Sequence, residues 1–141
     1  MIGYLLDTNV ISEMTRPKAD ANVIRWLGRL SVFLLPAVGV YEIASGIWRL
    51  SPGKKREYLE NWLSDILSAD SKVLPFDRDA ALTCGRLESD ARRRGRAIEQ
   101  RDLLILATAK AQDLGVATRN VSHFRGFGVP VYDPFNDVHS I

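Results

Sequence analysis

Short apolar runs recur along the chain at Ile2 to Leu6, Val32 to Leu35, Lys72 to Phe76, Gly115 to Thr118 and Val129 to Tyr132, and each reads as a buried strand. Helical patterns lie between them. Over about 54–69, Tyr58, Leu59, Trp62, Leu63, Ile66 and Leu67 repeat at the spacing of one buried helix face. A second helix is expected over about 78–94, with Ala80, Cys84, Leu87 and Ala91 on one side and charges on the other. A third begins near Asp102 and reads DLLILATAKA, apolar almost all round, so its place is in the interior. The stretch AVGVYEIASGIWRL after the second strand predicts another helix, with Tyr41, Ala44 and Trp48 on its apolar side and Glu42 among the small and polar Ser45, Gly46 and Arg49. Strands alternating with helices predict an α/β sandwich around a mainly parallel sheet. The loops at Arg16-Pro17-Lys18 and Ser51-Pro52-Gly53 are too short to be linkers, so residues 1–141 are expected to form one domain.

Composition narrows the class without naming a function. A chain of 141 residues, 46% hydrophobic and 26% charged, suits a single sizeable core rather than disorder. Its formal charge of +2 neither demands nor excludes an acidic partner. The basic residues cluster at Lys54-Lys55-Arg56, at Arg92-Arg93-Arg94 with Arg96, and at Arg119 and Arg125, where solvated helix ends and phosphate contacts are the competing readings. Cys84 is the sole cysteine, which rules out an intrachain disulfide and a cysteine metal cluster. No stretch reaches the roughly 18 apolar residues of a membrane span, and a reducing cytoplasm is the expected compartment.

Three acids attract attention in this setting. Asp7 stands where the first strand ends, and ligands of open parallel sheets bind beyond the carboxyl ends of the strands. As a local feature, Asp7-Thr8-Asn9 is also a good helix start. Glu42 taken singly reads as a solvated helix residue, and Asp102 taken singly reads as a first-turn acid favoured by the helix dipole. A buried helix carries its N-terminus to a defined place, however, and a parallel fold can bring Asp102 toward the carboxyl edge of the first strand.

The segments LLDTNVISE at 5–13, YEIASGI at 41–47, RDLLILATA at 101–109 and VATRNVSHF at 116–124 together resemble the motifs of PIN-domain proteins, most closely the FitB/VapC branch of ribonuclease toxins from bacterial toxin–antitoxin pairs. The resemblance spans almost the whole chain. It implies a PIN-like (Rossmann-like) α/β/α sandwich with an acidic pocket that holds Mg²⁺ or Mn²⁺ and hydrolyses RNA. Residue by residue, it assigns Asp7, Glu42 and Asp102 as catalytic acids and metal ligands, with Thr8, Asn9 and Thr118 in support. Asn120 departs from the pattern, because many members carry Asp there; an amide accepts a hydrogen bond but adds no negative charge. Arg119, Arg125 and His123, near the fourth motif, are candidates for holding the RNA backbone. The resemblance also implies homodimers and silencing by a DNA-binding VapB/FitA-like antitoxin, whose C-terminal segment lies beside the pocket, often with an Arg directed at the carboxylates; the early helices are the expected groove.

Elementary electrostatics supports a cation. If three carboxylates gather within about 4 Å, each pair repels by roughly 4 kcal/mol at an effective dielectric of about 20. An all-oxygen pocket suits Mg²⁺ or Mn²⁺ better than Zn²⁺, and His123 and His139 are too few for a multi-histidine zinc centre. Two other classes compete. An aspartyl-nucleophile phosphatase wants a second acid two residues after the first, where Asn9 stands. A catalytically weak or inactive PIN-like module that binds RNA or an antitoxin is favoured by Asn120 and disfavoured by the presence of all three acids.

Overall fold

The computed structural model of the protein describes residues 2–141. Six strands form one sheet: β1 (Tyr4–Leu6), β2 (Phe33–Pro36), β3 (Ser71–Leu74), β4 (Gly115–Ala117), β5 (Val131–Asp133) and β6 (Val138–Ser140), in the order β3-β2-β1-β4-β5-β6. All neighbours pair in parallel except β5 and β6. The helices are α1 (Thr8–Ile11), α2 (Ala21–Leu27), α3 (Ala37–Trp48), α4 (Lys54–Ser68), α5 (Arg78–Arg93), α6 (Gln100–Ala111) and α7 (Val121–Phe124), and a 3₁₀ turn (Ser12–Thr15) continues α1. The chain leaves β1 toward β2 on one side and returns as β4 on the other. A crevice therefore opens at the carboxyl end of β1, where the strand order reverses.

Period-2 alternation in the central strands divides the core between the two faces of the sheet. Leu5 and Val116 point into a core built with Leu87 and Ala91 of α5, Leu103, Ile105 and Leu106 of α6, and Phe124 of α7. Leu6 and Ala117 point the other way, toward Val10 and Ile11 of α1, Val23 and Leu27 of α2, and Ile66 of α4. The expected α/β sandwich and the five strands are thus present, as is the buried helix at Asp102, where Leu103, Ile105, Leu106, Ala107, Thr108 and Ala109 are all buried. The third strand, expected to be buried, is corrected, because β3 lies at the sheet edge with Lys72, Val73 and Phe76 exposed and only Leu74 buried. No helix among the described residues is long and apolar enough to cross a membrane.

Two expected apolar faces are corrected. On α3, Tyr41 and Trp48 are 69% and 65% exposed, while Gly39 and Ile47 are buried and Val40 and Ile43 pack on the core. The helix is rotated so that its smaller aliphatic residues meet the sheet, and Glu42 comes with them to the crevice. On α4 the predicted stripe is only half covered: Ile66 is buried, whereas Tyr58 and Leu67 are exposed. This helix packs against α3 and against β3 at the edge of the sheet. Two elements had no strong pattern of their own. α2 is short and starts at Asp20, whose side chain accepts from Asn22 and Val23 N–H, and β6 is an edge strand exposed over most of its length.

Gly115 opens β4 at a close approach to Tyr4 and Pro130. A Cβ there would stand 2.6 Å from the Tyr4 ring and 2.7 Å from the Pro130 carbonyl oxygen. Gly115→Ala is expected to destabilise the fold by about 1–3 kcal/mol, because the clash involves the neighbouring strand's backbone. Gly85, in the interior of α5 with open space around its Cα, should respond oppositely, gaining roughly 0.5–1 kcal/mol on conversion to Ala. Urea midpoints of the two variants moving in opposite directions would check both.

Candidate active site

The register of the central strands places the first two site residues. Leu6 of β1 pairs with Ala117 of β4, so the next residues, Asp7 and Thr118, emerge side by side at the carboxyl edge. Both are fully buried. Thr118 Oγ1 donates to Asp7 Oδ2 at 2.8 Å and accepts from the Asn120 N–H at 3.0 Å. Asp7 also caps α1, its Oδ1 accepting from the Thr8 N–H at 2.7 Å, so the residue starts a helix, as expected, while standing at the carboxyl edge of the sheet. Asn9 Nδ2 lies 3.4 Å from both Asp7 Oδ2 and Thr118 Oγ1, and its Oδ1 accepts from the Arg119 N–H at 3.2 Å. Asn9 thus fastens the loop after β1 to the loop after β4.

Glu42 and Asp102 reach the same crevice from α3 and from the first turn of α6. What gathers the three acids is a residue that the sequence reading left unassigned, Arg101. Its guanidinium donates from Nε to Glu42 Oε2 at 2.6 Å, from Nη1 to Asp102 Oδ1 at 2.6 Å, and from Nη2 to Asp7 Oδ1 and to Thr8 Oγ1, the last at 2.6 Å. Each nitrogen of the planar fork meets a different carboxylate, a geometry only guanidinium offers. Burial alone would make Arg101 easier to deprotonate, but its hydrogen bonds to Asp7, Glu42 and Asp102, with the charge of Asp7, raise its pKa above the ordinary arginine value. The sequence did hold a signal for it. A cation in the first turn opposes the helix dipole, so Arg101 at the N-terminus of a buried helix needed a partner.

The remaining candidates divide. His123 Nδ1 stands 3.1 Å from Asp102 Oδ2, with the ring half exposed. Asn120 joins the network through its backbone N–H, and its side chain makes no cap hydrogen bond to α7. The guanidinium of Arg119 lies over the Phe135 ring, 4.6 Å from its centroid, and the side chain of Arg125 is exposed. Of the basic cluster after α5, Arg94 and Arg96 have an architectural role. Arg94 donates to the Gly126 carbonyl at 2.8 Å, Arg96 donates to the carbonyls of Ser122, at 2.9 Å, and Arg125, and both lie over Phe127. Burial, followed by repulsion from Arg94 and Arg125, lowers the pKa of Arg96. These contacts hold α7, and with it His123, against the mouth of the crevice.

The donor set fits a hard divalent cation: carboxylate oxygens from three elements, threonine hydroxyls and no sulfur. Glu42 Oε1 is buried and has no hydrogen-bond partner among the described residues, which leaves one oxygen available for a further ligand. The point on which the acids converge is filled by the guanidinium. Among the described residues, no group of three or more His, Cys, Asp or Glu side chains is drawn together as a ready metal cage. Beside Asp102 a cleft of about 390 Å³ runs along Ala97, Ile98, Glu99, Ser122 and His123.

Comparison with known proteins identifies the family. The model of the PIN domain matches residues 4–126. Toxin FitB of Neisseria gonorrhoeae is 37% identical over 137 residues, covering 94% of this chain and 99% of the relative. VapC ribonuclease Y4jK of Sinorhizobium fredii is 36% identical over 135 residues, covering 93% and 96%. Among solved structures, that of FitAcB from Neisseria gonorrhoeae superposes with a TM-score of 0.85 at 38% identity, over 94% of this chain and 98% of the other. With the fold, the acid-lined crevice and these matches in agreement, the chain belongs to the PIN domain family.

Proposed function

We propose that the protein is a metal-dependent ribonuclease acting as the toxin of a toxin–antitoxin pair, with residues 1–141 as one catalytic domain. The observation that carries this reading is the meeting of Asp7, Glu42 and Asp102 around one cation position at the carboxyl edge of β1. Relatives named as a toxin and as a VapC ribonuclease, each matched over nearly its full length, give the reaction class.

Asp7, Glu42 and Asp102 would hold Mg²⁺ or Mn²⁺, which when bound supplies Lewis-acid polarisation of the scissile phosphate and activation of a water. The chain's own contribution is preorganisation. Thr118, Asn9 and the Thr8 N–H fix both oxygens of Asp7, so this carboxylate has little freedom to rotate. Asp102 is held in the first turn of α6, its Oδ1 accepting from Arg101 and its Oδ2 facing His123 Nδ1. His123 lies at the junction of Asp102 and the adjoining cleft, where it would meet a backbone phosphate of bound RNA. Arg119 and Arg125 flank the same loop and serve binding rather than chemistry. Hydrolysis by water leaves 5′-phosphate and 3′-hydroxyl ends.

An antitoxin partner follows from the same relatives, and the surface of α3 and α4 supports it. Trp48, Leu63 and Leu67 line a cleft between these helices beside the exposed Tyr41 and Tyr58.

Purified protein freed of partner is expected to cut a mixed RNA pool with Mg²⁺ or Mn²⁺ and to stop on addition of EDTA. Asp7→Asn should fold and bring cleavage to background. Products bearing 2′,3′-cyclic phosphates would show attack by the RNA's own 2′-hydroxyl and overturn the water mechanism. A folded wild type that cuts no RNA class in either metal would favour the binding-module reading. Thr118→Val tests the support of Asp7 separately: it should lower stability by about 1–3 kcal/mol and reduce activity or metal affinity by roughly 10–100-fold, measured by denaturant unfolding and by initial rates across a metal titration.

A further inference from the structure

We infer that Arg101 is an intramolecular counter-ion that competes with the divalent metal, so that the site has two states: closed on its own guanidinium, or open and metal-loaded with Arg101 displaced. The inference rests on the metal-site reading above and goes beyond it. Its ground is geometric. Three acids and the Thr8 hydroxyl are bonded to one side chain, with Nε, Nη1 and Nη2 each occupied. A metal that needs the same oxygens must therefore remove the donor that now holds them. A flat fork spreads the carboxylates around three of its edges, whereas Mg²⁺ draws oxygens to about 2.0–2.1 Å around a point. The closed arrangement accordingly offers no ready metal cage.

Arg101 is equipped to make this exchange. Its side chain is 26% exposed, so it lies at the mouth of the crevice with a route to solvent, while Asp7 beneath it is fully buried. Among the described residues, the buried Oε1 of Glu42 is the carboxylate oxygen of the cluster that neither the guanidinium nor any other donor satisfies. In the closed state the three carboxylates are neutralised in part without metal, which keeps the fold intact when the cation is scarce. The cost falls on metal affinity, because only the fraction of molecules with Arg101 outside is competent to bind.

The test is calorimetric titration of Mn²⁺, and separately of Mg²⁺, into EDTA-stripped wild type, Arg101→Lys and Arg101→Gln. Arg101→Gln should bind on the order of tenfold more tightly than wild type or better, with Arg101→Lys between them, since lysine retains the charge but reaches fewer acids. A second readout needs no variant. The Nε–Hε resonance of Arg101 in wild type should be protected from exchange in metal-free buffer and should move to the free-arginine position as Mg²⁺ saturates the site. This measurement decides the question if Arg101→Gln does not fold. Equal affinities across the series, or an Nε–Hε resonance unmoved at saturating Mg²⁺, overturn the inference and leave the metal site standing. Binding by none of the three proteins overturns both.

Discussion

Full burial of the Asp7 carboxylate is the constraint on which the site depends. An ionised carboxylate removed from water is tolerated only when hydrogen bonds and opposite charge replace its hydration. Both oxygens of Asp7 are supplied from four directions: the Thr8 N–H that starts α1, the Thr118 hydroxyl at the end of β4, the Asn9 amide, and Arg101 from α6. The donors come from separate stretches of chain, so satisfying one buried charge ties together the loops at the carboxyl edge. Parallel pairing of β1 with β4 makes this possible, because it brings residues 111 apart in sequence to adjacent positions.

The same electrostatic demand shapes the rest of the crevice. Glu42 and Asp102 would repel Asp7 if they were merely gathered, and Arg101 converts that repulsion into a bridged cluster. The guanidinium sits among the three carboxylates, so the crevice is a partly compensated cluster rather than a bowl of unbalanced negative charge. Away from the acids, Arg94 and Arg96 hold the 122–127 segment through its carbonyls and against Phe127. Side chains that resemble a nucleic-acid patch in the sequence are thereby engaged in positioning the wall that carries His123.

Much of the fold was legible because its central elements are extreme cases. The central strands β1, β2, β4 and β5 are short apolar runs with no competing helical period, and α6 is apolar over most of its surface and buried accordingly. Amphipathic helices at the margin were read less well. The large aromatic residues of α3 look like core yet face solvent, since the helix packs through Val40, Ile43 and Ile47. β6 depends on pairing with β5, and an edge strand that is mostly exposed leaves little alternation to detect.

The sequence by itself determined the alternation of strands and helices, the buried character of α6, and the placing of Asp7 at a strand end and Asp102 at a helix start, because these follow from local periodicity and capping chemistry. The distances between the three acids, and the residue that bridges them, were decided only by the tertiary structure. Arg101 neighbours Asp102 in the chain but lies 94 residues from Asp7 and 59 from Glu42. Nothing local specifies that one guanidinium will satisfy all three, since that follows from sheet order, from the rotation of α3 and from a buried helix delivering its first turn to the crevice.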